Sequence, residues 1–282
     1  MKDACNDASR EEDGEERSQA GLFVGSVLLS EAVEPDAFPG ILKREWGVQF
    51  EPVPRDDKEE DGGAGIVFGS VGGCLVGVVT IEAPVPNGEA LEAAAVNFLW
   101  PGARAAAASH KAHLLVTVLP NPENHGAAPS KTETAVLFVK VMSSLLSLPE
   151  ALGAYVCGTI IEPAFYRTFA SMIHDELFPV YNLVWIGLYG TEGSISAYTY
   201  GLKDFGHREI EVLEADAEPG EIREFLGNLA AYVIEEDVDF IDGETVGYTD
   251  EQRCPVTIGE GAALPGKTCR VAFMKPSRGE PS

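Results

Sequence analysis

Apolar residues recur along this chain with two periods, and the switches between them mark out its elements. From Gly21, GLFVGSVLLS is a short continuous apolar run containing Val and Phe, which predicts a buried strand. Phe38, Ile41, Leu42 and Trp46 then fall at helical spacing, with Asp36 as cap, Pro39 in the first turn and Gly47 as the stop. Val48 to Val53 reads as a strand. Two more strands, near Ile66–Val71 and Cys74–Ile81, are joined at Gly72-Gly73, a strong hairpin signal. An Ala-rich helix is expected from Gly88 to Ser109, bent or broken at Trp100-Pro101-Gly102, and HLLVTVLP makes the next strand.

After the NPENHGAAPS loop the helical period returns. Thr132 opens a core helix with Ala135, Phe138, Val139, Met142, Leu145 and Leu146 on one side. ALGAYVCGTII reads as one strand buried on both faces, and Pro163 as the first residue of a helix carrying Phe165, Phe169, Met172 and Ile173. Three β-segments are expected at Val180–Tyr189, Ile195–Leu202 and Arg208–Leu213. In the last, Glu209, Glu211 and Glu214 set against Ile210, Val212 and Leu213 predict a face turned to water. From Glu221 to Glu236 the residues Ile222, Phe225, Leu226, Leu229, Val233 and Ile234 give the cleanest helix, and Gly243 to Phe273 is strands and turns.

Strands and helices interleave here without a regular βαβ rhythm. That predicts an α+β fold with mixed and antiparallel sheets and packed helices. The opening order, strand-helix-strand-strand-helix-strand, is the ferredoxin-like pattern. Residues 1–20 read as a disordered acidic tail and 54–65 as a solvated loop. Residues 21–125 form a first α+β lobe and 126–275 a second, or the two make one continuous domain.

Charge narrows the function classes. Acids outnumber bases 45 to 20, for a net charge of -25. Such a field repels phosphate backbones, which argues against nucleic acid as a ligand, and it favours a basic partner or simply solubility. The five cysteines, at 5, 74, 157, 254 and 269, are odd in number and widely spaced, as suits reduced thiols in a reducing compartment. The N-terminus has no apolar signal region, and Ala135–Leu148 is too short and too polar to span a bilayer. A soluble cytoplasmic protein without membrane attachment is expected.

The motifs are few. Gly261 to Thr268, GAALPGKT, fits the P-loop expression letter for letter. A P-loop must open a helix, however, whereas Thr268 is followed by a strand and a Pro/Gly tail, and Pro265 removes one N–H from the cradle. The expected reading is a loop between two strands, with no nucleotide cofactor. His110 and His113 stand at i and i+3 but meet the start of a strand, with no paired Glu or Cys nearby, and His125, His174 and His207 are isolated. No metal site is expected. Ser26 and Ser70 lack the nucleophile-elbow register, and Cys157 has no charged neighbour to activate it.

The stretch from Ala197 to Glu209 is the most functional in character. It gathers Tyr198, Tyr200, Lys203, His207 and Glu209 around two glycines, with Glu211 just beyond, and the tyrosines alternate onto one face as an aromatic ledge. The bland alternative is a hairpin whose tyrosines only cover the sheet. YTYGLKDFG followed by HREIEV, together with GLFVGSVLL, HKAHLLVTV, LPEALGAYVCGTIIEP and FLGNLAAYVIEEDVDFIDGETVG, resembles the bacterial domain-of-unknown-function family 4261 from about Gly21 to Phe273. The resemblance implies no activity and assigns no residue a role.

Two functions remain as expectations, and a non-enzymatic one is favoured because no catalytic signature stands out. One is an acidic binding protein, an immunity-type protein neutralising a basic toxin or effector, or a secretion-system-associated factor, steered in part by Glu209, Glu211 and Glu214. The other is a small-molecule-binding domain or enzyme with a pocket near Tyr198–Glu209. A structural role in an oligomer, through exposed sheet edges, is a third.

Overall fold

The computed structural model describes residues 21–53, 65–124, 126–191, 193–247 and 253–274. The expected tail, all but one residue of the 54–65 loop, Cys5 and His125 lie outside the described residues. The chain divides into two compact units, Ala20–Leu183 and the chain from Val184 onward. The boundary expected near residue 125 does not coincide with this division, because the strands after that point join the sheet already begun by the first strand.

In the first unit the chain runs β1 (Phe23–Leu29), α1 (Phe38–Trp46), β2 (Glu51–Pro52), β3 (Ile66–Val71), β4 (Cys74–Ile81), α2 (Glu89–Ala95), α3 (Ala103–Ser109), β5 (Ala112–Pro120), α4 (Lys131–Leu145), β6 (Ala151–Val156), β7 (Thr159–Ile161), α5 (Pro163–Ala170) and α6 (Val180–Leu183). The strands make one antiparallel sheet in the order β2-β3-β4-β5-β1-β6-β7. A ferredoxin-like order would set β1 between β4 and β5. Here β5 pairs along its length with both β4 and β1, so it stands between them.

The apolar periods explain the packing. Phe23, Val27, Val76, Val78, Leu114 and Val116 are buried on one face of the sheet, and α4 packs on that face over β1 and β5, with Phe23 and Phe138 ring centroids 6.0 Å apart. Gly25 lets the helix approach, since a Cβ there would lie 2.6 Å from Val156 and 2.9 Å from Phe138. On the opposite face Leu28 and Ile160 pack under Ala90, Ala93, Ala94, Ala103 and Ala107, whose small side chains bring α2 and α3 close. The break expected at Trp100-Pro101-Gly102 separates those two helices.

Three local expectations change. ALGAYVCGTII is a hairpin, not one strand, because Cys157 and Gly158 both take positive φ (49° and 63°) and turn the chain between β6 and β7. Val180–Leu183 is a helical turn, and the strand starts only at Trp185. Of Val48–Val53, only Glu51 and Pro52 pair with β3.

The second unit runs β8 (Trp185–Thr191), β9 (Ser194–Tyr200), β10 (Ile210–Ala215), α7 (Pro219–Glu236), β11 (Thr245–Val246), β12 (Cys254–Glu260) and β13 (Lys267–Val271). Its sheet order is β11-β12-β13-β10-β9-β8. The pair β10·β13 is parallel, and the other pairs are antiparallel. Ile222, Phe225, Leu226, Leu229 and Val233 of α7 are buried as their spacing predicts, against β8, β9 and β10. The α+β class expected from the order of elements is the one observed. No helix among the described residues is long and apolar enough to cross a membrane.

The start of α4 is fixed by a signal the periodicity does not carry. Ser130 accepts the Glu133 N–H, and the Glu133 carboxylate accepts the Ser130 N–H at 2.7 Å, a reciprocal cap. Ser130→Ala is expected to cost about 1 kcal/mol of stability, read as a lower urea midpoint with an unchanged m-value.

Candidate functional site

The six residues singled out by the sequence lie in the second unit, on β9, β10 and the turn between them. Register sets the tyrosines. Tyr198 stands opposite Gly187 on one side and Glu211 on the other, and Tyr200 stands opposite Trp185. The Tyr198 ring lies over Gly187, where a Cβ would overlap it, and its centroid is 6.2 Å from that of Tyr189. Tyr189 and Tyr200 are 42% and 46% exposed, so the expected aromatic ledge exists, enlarged by Tyr189 from the edge strand. Burial, then the neighbouring Tyr189 and Tyr200, push the Tyr198 phenol pKa up.

The glutamates do not face water as expected. Glu209 is 2% exposed and Glu211 is 0% exposed. The Glu211 carboxylate is held by the GAALPGKT segment, which forms the loop between β12 and β13 and the first two residues of β13. It accepts the N–H groups of Ala262 (2.9 Å), Ala263 (2.8 Å) and Leu264 (3.3 Å) and the Thr268 hydroxyl (3.0 Å), with Arg270 Nε at 3.7 Å. Burial raises the Glu211 pKa, but those donors outweigh it and hold the carboxyl below the usual range. Three successive N–H groups converging on an anion are a nest, the device a P-loop uses for phosphate. In this chain its occupant is a carboxylate of the protein itself. The residue types of the P-loop expression thus reflect a real anion cradle, although strand β13, not a helix, follows it. The register of β10 beside β13, which brings position 211 to the loop, is not written in the local sequence.

Glu209 acts in the same way on the turn that precedes β10. Its carboxylate accepts the Thr199 hydroxyl at 2.7 Å and the N–H groups of Gly201 (2.8 Å) and Lys203 (3.4 Å), which fixes the Gly201–Gly206 turn. Burial pushes its pKa up against those hydrogen bonds. Lys203 enters this arrangement through its backbone. His207 is buried and turned toward the end of α7, with Nδ1 3.1 Å from Asp239 and Nε2 3.3 Å from Asp237. The cavity beside it holds about 10 Å³, at the lower limit for a single water. The six residues therefore do not converge on one cleft. Two lie on an open sheet face, two carboxylates tie down loops, one supplies a backbone donor, and one braces a helix end.

In the first unit both neighbouring histidines hold backbone. His110 Nδ1 donates to the Ala107 carbonyl while Nε2 accepts the Val85 N–H at 2.9 Å, and His113 Nδ1 is 2.8 Å from the Ala83 carbonyl. Burial lowers the His113 pKa, which favours the neutral ring. Among the described residues no group of three or more His, Cys, Asp or Glu could hold a metal, and Cys74, Cys157, Cys254 and Cys269 are free thiols. The Cys157 thiol donates to the Leu183 carbonyl at 2.9 Å.

Residues 198–272 match the family model of a domain of unknown function, DUF4261. The match runs from the tyrosine ledge through the Glu211 cradle to the end of β13, so it takes in most of the second unit. The first-unit segments that share in the sequence resemblance lie outside it. No curated protein and no solved structure matches the chain.

Removing the Glu211 carboxylate leaves buried N–H groups without an acceptor. Glu211→Ala is expected to destabilise the protein by about 3 kcal/mol in urea unfolding. Because its folded pKa is depressed, the stability it supplies is complete above the unfolded pKa of about 4.5 and is lost as pH falls through the folded value. Glu211→Gln should therefore flatten the decline of stability with acid below about pH 4.5, measured as urea midpoints from pH 6 to 3. A parallel decline in both proteins would show that the carboxylate is not the acid-sensitive tie.

Proposed function

We propose that this chain is an acidic binding protein whose partner is a basic protein, of the kind an immunity-type protein or a secretion-linked factor would engage. The observation that carries this reading is the surface at and beyond the C-terminal end of α7. From Glu235 to Glu244 there are six acids and no base. Just before that segment Tyr232 is 51% exposed, within it Ile241 is 69% exposed, and the Tyr232 ring stacks on Phe240 at 6.5 Å. Glu235, Glu236, Asp237, Asp239 and Asp242 are exposed around them. An aromatic centre with a charged rim is the make-up of a protein interface, the rim steering encounter and the aromatic centre supplying affinity.

The buried state of Glu209 and Glu211 moves the acidic surface away from β10, leaving Glu214 as the exposed acid of that strand. The alternative, a small-molecule pocket near Tyr198–Glu209, is the less favoured reading, because Glu209 is engaged with its own turn and the two tyrosines lie on an open sheet face. The tyrosine ledge of β8 and β9 remains an open surface suited to a second contact.

The test is purification of the tagged full chain from its native cells at low salt, followed by affinity measurement with any co-purifying protein of high pI. The expected partner binds with an association rate that falls steeply between 50 and 200 mM salt. Glu235→Lys/Glu236→Lys should slow association by about tenfold, and Tyr232→Ala should raise the dissociation rate. Retention of no basic protein, or a partner indifferent to both variants, would overturn the proposal.

A further inference from the structure

The first unit carries a groove of about 520 Å³ between the β3–β4 hairpin and the N-terminal half of α4. That volume is in the range of small-molecule sites. Its floor is a single stripe of the helix. Glu133, Val136, Leu137 and Lys140 recur at i, i+3, i+4 and i+7, a face distinct from the one that places Phe138 and Met142 in the core. Val48, Val71 and Pro129 close the walls, so the lining is mainly apolar.

The two charged side chains of this lining are in different positions electrically. The Glu133 carboxylate is committed to the helix cap, where the Ser130 N–H and hydroxyl hold its pKa below the usual range. Lys140 is half-buried, and its Nζ stands 5.9 Å from the centroid of the Trp46 ring, which in turn stacks on His174. Among the described residues it makes no ion pair or hydrogen bond. Burial alone lowers its pKa. Among the described residues this cation, drawn partly out of water at the end of an apolar groove, has a ring face beside it and no anion to offset its desolvation.

We propose that this groove binds a small amphipathic anion, a monocarboxylate with an aliphatic body, whose carboxylate pairs with Lys140 and whose chain lies along Val71, Val136 and Leu137. The net charge of -25 repels anions at long range, so recognition here is local and rests on one ion pair and the burial of methylenes. The site lies in a different unit from the acidic interface proposed above and stands or falls separately from it.

The test is calorimetric titration of the full chain with octanoate and, as its uncharged counterpart, 1-octanol. Octanoate is expected to bind saturably at one site with a Kd of about 0.1–1 mM, as ligands of this size allow. Lys140→Met should weaken octanoate by about tenfold while changing 1-octanol by less than about twofold. Lys140→Arg should retain binding, and Val136→Trp, which fills the groove, should abolish it for both compounds. Thermal unfolding of each variant checks that it is folded. No saturable octanoate binding, equal binding by wild type and Lys140→Met, or binding that survives Val136→Trp in a folded protein would overturn the assignment.

Discussion

The buried carboxylate of Glu211 is the constraint around which the second unit is arranged. A lone carboxylate withdrawn from water costs several kcal/mol, and it persists here only because three backbone N–H groups, a hydroxyl and the Arg270 guanidinium converge on it. Those donors come from the loop after β12 and from β13, while the acceptor comes from β10. The interaction thus clamps the parallel pair of this sheet, in which only Ile210↔Cys269 and Glu211↔Arg270 are in register. Parallel pairing over so short a length is weak by itself. With Glu209, the residue just before β10, holding the preceding turn in the same way, two side chains take over work that long ladders do elsewhere in the sheet.

Acids this close in sequence thus do different work. Glu209 and Glu211 are engaged internally, whereas the acids at and beyond the end of α7 form an exposed cluster. The groove beside Lys140 shows the inverse arrangement, a single cation in an apolar setting within a strongly acidic chain. On the two proposals made above, each surface suits a different kind of partner, and neither uses the strand on which the sequence concentrates its polar signals.

How much of this is legible in the sequence follows from the range of each interaction. The amphipathic period of Ile222 to Ile234 announces α7, and Gly72-Gly73 announces the first hairpin, because both signals are local. The Cys157-Gly158 turn escapes a reading by pattern because an apolar run looks the same whether or not it folds back on itself. The burial of Glu209 and Glu211 escapes it for a deeper reason. Alternation along a strand says which residues share a face, but not whether a distant loop covers that face. The tyrosine ledge is visible as a pattern, whereas Lys140 gives no sign at all, since its setting depends on Trp46 and Val71 arriving from two other segments.

The cradle also bears on how the second unit assembles. The β12–β13 hairpin looks like a local element, yet its loop is fastened to a residue 51 positions earlier in the chain. Its N–H groups find their acceptor only once β10 lies beside β13, after α7 and the segment that follows it have been laid down between them. The hairpin's own pairing is local, but fastening its loop to Glu211 must close a long stretch of chain, whose entropic cost the turn does nothing to reduce. A chain interrupted anywhere between β10 and β12 would leave both halves with a polar group that neither can satisfy alone.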